Sequence, residues 1–120
     1  MFTQAKLTTT KTSNELLIEF LEKRGLKQKA ESLRNDATSL DLGHNQIEAE
    51  GAKVLADALK TNSSIASLDI GWNQIGDEGI RVFADALKIN NSITLLDIGY
   101  SKIGDEGARL LADALNPDIA

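Results

Sequence analysis

Three near-identical stretches lie 28 residues apart, and that spacing narrows the folds open to this chain more than any other feature. Ser39–Gly51 reads S-L-D-L-G-H-N-Q-I-E-A-E-G, Ser67–Gly79 reads S-L-D-I-G-W-N-Q-I-G-D-E-G, and Leu95–Gly107 reads L-L-D-I-G-Y-S-K-I-G-D-E-G. A repeat of this length is one supersecondary unit that buries its apolar face only against its neighbours. The chain is therefore expected to stack its units into a solenoid.

Within each unit the alternation Leu40, Asp41, Leu42 predicts a short strand with one buried face, and Leu68–Ile70 and Leu96–Ile98 repeat it. Asn45 and Asn73 follow where the chain must turn, and their amides suit backbone groups that a bend leaves open. The third unit has Ser101, which makes fewer such bonds. Ile47, Ile75 and Ile103 close the inner core, after which Asp77 and Asp105 are read as N-caps, with Glu78 and Glu106 in a first turn that favours negative charge. Leu55, Phe83 and Leu111, with Leu59, Leu87 and Leu115, then point helices at the core. Val54, Val82 and Leu110 fall on one flank of those helices and Ala56, Ala84 and Ala112 on the other, so that a large side chain nests beside a neighbour's alanine.

This pattern, L-x-x-L-x-L-x-x-N-x-L with a glycine and two leucines downstream and isoleucines substituting, resembles the leucine-rich repeat family, and within it the ribonuclease-inhibitor-like subfamily. The resemblance runs from Ala37 to about Leu115. It implies an α/β solenoid with parallel strands on a concave face and helices outside, in three repeats at 37–64, 65–92 and 93–120. It also implies a partner-binding scaffold, as in nuclease inhibitors, GTPase activators of the Ran type and sensor domains of NOD-like receptors. The family's inhibitors are longer and cysteine-rich, whereas this chain has no cysteine. None of their contact residues carries over.

Residues 1–13 lack any period and are expected to form a flexible tail, and residues 14–36 an N-terminal helical cap. A helix start is read at Ser13 and Asn14, with Leu16, Leu17, Phe20 and Leu21 on the apolar face and Gly25 beyond its end. A second short helix places Leu26, Ala30 and Leu33 together. A solenoid end needs such a polar cover over its outermost apolar layer.

Charge bears on partners. Of the 13 basic and 18 acidic residues, 7 and 5 lie in residues 1–36, which leaves the repeats with 6 basic against 13 acidic. An acidic repeat surface disfavours nucleic acid and favours a protein partner with a basic patch. No apolar run is long enough for a membrane span or a signal-peptide core, so no membrane association and a cytoplasmic location are expected.

Equal positions in stacked units form columns about 4.8 Å apart. One column is Asp41, Asp69 and Asp97, and beside it runs His44, Trp72 and Tyr100, which includes the only Trp, Tyr and His. These six residues are the candidate partner-binding set, since large flat side chains anchor binding hot spots. The carboxylate ladder is too linear for a metal site, and neither cofactor nor catalysis is expected, because the sole imidazole has no nucleophile at a defined spacing. The alternatives are a contact regulator of a GTPase or nuclease, and a self-assembly element. For the latter the candidate edge is Leu95, Leu96, Asp97, Ile98 and Leu110, expected to join two copies as a homodimer about a two-fold axis.

Overall fold

The computed structural model describes residues 11–115; the expected tail therefore lies largely outside the described residues, as does Asn116–Ala120. Two helices, α1 (Ser13–Lys23) and α2 (Lys27–Arg34), precede three strand–helix units. The strands are β1 (Ser39–Asp41), β2 (Ser67–Asp69) and β3 (Leu95–Asp97), and the helices that follow them are α3 (Glu48–Leu59), α4 (Gly76–Ile89) and α5 (Asp105–Leu115). The sheet is parallel in the order β1–β2–β3, with Leu40 opposite Leu68 and Leu68 opposite Leu96, so the units stack without a shift in register. The fold is the expected α/β solenoid.

The core is the space between sheet and helices. Leu40, Leu42, Leu68 and Ile70 point into it from the strands, Ile47 and Ile75 close it from the turns, and Leu55, Leu59 and Phe83 fill it from the helices, all of them buried. The third layer is different. Leu96, Ile98 and Ile103 are only half-buried and Leu115 is exposed, although it was expected to face the core, because no described unit packs on its outer side. Helix–helix approach is close because each helix carries a glycine in its first turns. A Cβ on Gly79 would stand 2.4 Å from Ile75 Cγ2 and 3.2 Å from the Ala49 Cα of the preceding helix.

The N-terminal helices dock on the first unit. α1 begins one residue earlier than expected: Thr12 is the cap, its hydroxyl accepting from the Glu15 N–H at 3.1 Å while the Glu15 carboxylate accepts from the Thr12 N–H at 2.9 Å. That reciprocal pair needs a threonine three residues before a glutamate, which Ser13 and Asn14 do not offer. The buried stripe is Leu17, Ile18 and Leu21, and Leu16 is left 46% exposed. Arg24 lies over the Phe20 ring and donates to the Gln46 carbonyl at 2.6 Å, tying α1 to the first turn. In α2, Ala30 and Leu33 are buried as expected. Arg34 links the two helices through Glu22 and pairs with Glu31 of its own helix, and Lys11 pairs with Glu19, whose carboxyl is held below its usual range by the Lys11 hydrogen bond.

Of two side chains expected to act inside their own units, one acts between units instead and the other does both. Asp77 is not an N-cap; α4 starts at Gly76 with no side-chain cap, and the Asp77 carboxylate accepts from the Gly104 N–H of the next unit at 2.7 Å. The equivalent donors Glu48 and Gly76 reach the carbonyls of Asn73 and Ser101, each in the following unit. Gly104 has no described unit beyond it, so it turns back to Asp77. Asp105 likewise is the first residue of α5 rather than a residue before it.

Asn73 is the second. It is fully buried, and its Oδ1 accepts from the N–H groups of Asn45 and Ile47 in the preceding unit at 2.8 and 3.2 Å. Its Nδ2 lies 2.8 Å from the Leu42 carbonyl, 2.9 Å from that of Ile70 and 3.1 Å from that of Gly71. Ser101, one unit on, contributes a single hydroxyl bond to the Ile70 carbonyl at 3.1 Å. A second asparagine column was not read from the sequence: Asn62 and Asn90 tie the loops that lead back to the sheet, and the Asn90 amide donates to the carbonyls of Leu59 and Asn62.

Candidate functional site

The zero shift in register turns equal positions into columns on the strand face. Asp41, Asp69 and Asp97 are mutual partners across the sheet. Each carboxylate spends one oxygen locally, accepting the N–H of the glycine two residues on at 3.0, 2.9 and 3.0 Å. Among the described residues no basic side chain lies within ion-pairing distance of any of the three. Like charges in a directly opposed row destabilise a sheet, so the charge of the ladder, unlike its bonds to the glycine N–H groups, works against the fold it sits on.

Three residues further along each unit stand His44, Trp72 and Tyr100. Their rings stack: His44 on Trp72 with centroids 5.1 Å apart and planes 13° from parallel, and Trp72 on Tyr100 at 4.1 Å and 20°. The stack is nonetheless open to water, with Trp72 51% and Tyr100 74% exposed. All three residues hold a left-handed backbone, at φ of 62°, 60° and 57°. That region is costly for large side chains and favours glycine or asparagine. Gln46, Gln74 and Lys102, two residues on, hold it as well, at 54°, 53° and 60°, so the conformation belongs to the turn of every unit, and its recurrence presents the three rings side by side.

All six candidate binding residues line one groove of about 300 Å³, floored by Gly43, Gly71 and Gly99. A Cβ on Gly71 would meet the Gly99 carbonyl at 3.0 Å and the Asp69 and Asp97 carboxylates at 3.3 and 3.4 Å. The glycines keep the space between the carboxylates clear. Sequence reasoning singled out the walls and missed this floor, whose signal was the glycine recurring two residues after each aspartate. Gln74 and Lys102 line the other side of the Trp72–Tyr100 wall and were also missed.

The candidate self-association edge is divided by the structure. Leu95 is exposed and Asp97 belongs to the groove, while Leu96 and Ile98 are half-buried at the outer side of β3. The apolar hollow there is lined by Ile98, Ile103, Ala108, Leu111, Ala112 and Leu115. Leu110 does not line it; it packs half-buried against the core, and the small residue Ala112 is the one that lies open. No arginine is among the residues lining the groove, and Arg24 bonds to Gln46, Arg34 to Glu22, and Arg81 approaches Glu106. Among the described residues no group of three His, Cys, Asp or Glu side chains is disposed to hold a metal ion, and no helix is long and apolar enough to cross a membrane.

A family model described as Leucine Rich repeat matches residues 38–56, 61–84 and 90–112, more than half of the chain and once in each unit. The chain belongs to the leucine-rich repeat family. This repeat protein is similar to a "Putative ankyrin repeat protein" of Rickettsia felis, 59% identical over 49 residues, which is 41% of this chain and 20% of that protein. The chain thus spans about a fifth of the length of that curated relative. Among solved structures it resembles "Leiomodin-1 Actin-Binding Site 2 (ABS2)" with a TM-score of 0.65 at 22% identity, covering 74% of this chain and 54% of that one. At that identity the likeness is one of fold.

Proposed function

We propose that this leucine-rich repeat chain is a non-enzymatic scaffold of the ribonuclease-inhibitor-like kind, which binds a protein partner bearing a basic patch through its strand face. One observation carries the reading: a ring stack left largely in water runs beside a row of carboxylates that no described residue neutralises. The glycine N–H bonds occupy one oxygen of each carboxylate, and neither the repelling charges of the row nor the exposed rings are called for by that local bonding. Exposed flat anchors next to a charged rim are what an interface core requires. An actin-binding site built on the same fold supports the class of the reading, a macromolecular surface, and nothing finer. In this reading α1 and α2 are the cap that closes the N-terminal end of the stack.

The test is quantitative pull-down with the wild type and Trp72→Ala/Tyr100→Ala side by side. Capture is expected to fall at least about tenfold, the scale of losing two interface anchors, with the circular dichroism spectrum retained. Equal capture rejects the surface.

Self-association is a second use of the chain, supported by the open outer layer. Leu68, Ile70 and Ile75 are 1%, 0% and 2% exposed, whereas their counterparts Leu96, Ile98 and Ile103 are half-buried. Because α1 and α2 already pack on the first unit, two copies would meet at β3 and α5, with the edge strands antiparallel about a two-fold axis. Light scattering is expected to give twice the chain mass, reduced to one chain by Leu95→Asp. A single-chain particle at high concentration overturns it.

A further inference from the structure

We infer that the groove between the two columns receives arginine side chains from an extended segment of the partner, an assignment that rests on the scaffold reading and sharpens its ligand. The walls of the groove differ in chemistry. On one side each aspartate has a carboxylate oxygen that no described group uses, since the glycine N–H takes only Oδ1. Adjacent strands lie about 4.8 Å apart, a separation that one planar guanidinium spans with diverging in-plane N–H donors, one to each carboxylate, whereas a lysine ammonium acts as a single point charge.

The opposite wall makes the same distinction. Both faces of Trp72 are covered, one by His44 and the other by Tyr100, so its exposed part is its edge. Along that edge an aliphatic stem packs. Tyr100 is stacked on one face only and is 74% exposed. A guanidinium extends the stack at that open face while reaching the neighbouring Asp97, because it combines a flat surface with in-plane donors. The glycine floor leaves the depth a side chain needs, as any Cβ on Gly71 would close the gap between the Asp69 and Asp97 carboxylates. Lys102 lines the opposite side of the stack and is not among the residues lining the groove. A bound cation removes the repulsion within the ladder, so its binding is favoured by relief of a cost already present.

Trp72 is the only tryptophan and lines the groove, so its fluorescence reports on binding at this wall. The probes are the acetylated, amidated pentapeptides Gly-Arg-Gly-Arg-Gly, Gly-Lys-Gly-Lys-Gly and Gly-Glu-Gly-Glu-Gly, titrated into the whole chain. The arginine peptide is expected to change the emission and bind roughly fivefold tighter than the lysine peptide, as a bridging fork outdoes a point charge. The glutamate peptide is expected to leave the emission unchanged. Asp69→Asn/Asp97→Asn is expected to weaken the arginine peptide at least about tenfold, since both carboxylates of the fork are lost. Indifference between the arginine and glutamate peptides, a lysine peptide as tight as the arginine one, or an unaffected double variant each overturns the assignment. If the arginine assignment fails while partner capture is still lost in Trp72→Ala/Tyr100→Ala, the scaffold reading stands alone; capture unchanged by that variant overturns both.

Discussion

Replacing Asn73 by alanine is expected to lower the unfolding free energy by about 4 kcal/mol, measured by urea denaturation at constant slope. The Asn73 amide bonds to backbone groups of two successive turns at once. Without it the Asn45 and Ile47 N–H groups lose their acceptor, and the carbonyls of Leu42, Ile70 and Gly71 lose a shared donor, around a side chain that is itself fully buried. A net hydrogen bond contributes about 1 kcal/mol and a stranded buried group costs about 1–3 kcal/mol. Local relaxation and water entry recover part of that, which leaves a loss of roughly this size. For a domain stable by about 5–15 kcal/mol the change is large. Ser101→Ala, at the equivalent position one unit on, is expected to cost only about 1 kcal/mol, because it removes a single bond to the Ile70 carbonyl. Equal costs at the two positions would show that the inter-unit bonds do not govern stability.

The contrast between those residues marks where sequence reading succeeds and where it stops. The repeat period, the alternation in Leu40–Leu42 and the helix leucines are local patterns, and each fixes a face from its own neighbours in the chain. The columns followed from the period alone, once the units stack without slippage. Asn73 was assigned to its own turn and does bond there, to Ile70 and Gly71, but it and Asp77 also reach partners about one repeat away, at Asn45 and Gly104. A side chain's preference for caps or bends does not reveal that a donor from the next unit stands closer.

Helix α1 shows the same limit in another form. The run Leu16, Leu17, Ile18, Phe20, Leu21 offers overlapping apolar stripes, and docking on the first unit chose the one through Leu17, Ile18 and Leu21. The left-handed backbone at His44, Trp72 and Tyr100 was not legible either, because that region is expected of glycine or asparagine rather than rings. What the sequence did display was a residue type out of keeping with folding alone: an aspartate and a ring recurring on the exposed face of every unit.

That surplus leads to the second large effect. Asp41→Asn/Asp69→Asn/Asp97→Asn removes three charges while keeping an oxygen for each glycine N–H. If the ladder exists for a basic partner, the triple variant loses capture of that partner by about a hundredfold or more, the scale of losing several charge pairs at an interface. The fold, by contrast, loses a repulsion. Two carboxylates about 4.8 Å apart repel by about 1 kcal/mol in water-like surroundings, so the isolated variant is as stable as the wild type or slightly more so. Salt screens surface charges, and the difference should shrink as it is added.

The account's central claim is that these side chains serve a partner and not the fold, and denaturation of the triple variant in the absence of any ligand tests it directly. The predicted result is an unfolding midpoint equal to or above that of the wild type at low ionic strength, converging at high salt. A loss of more than about 2 kcal/mol, the size of a broken structural hydrogen-bond set, would contradict it and return the carboxylates to the architecture of the stack.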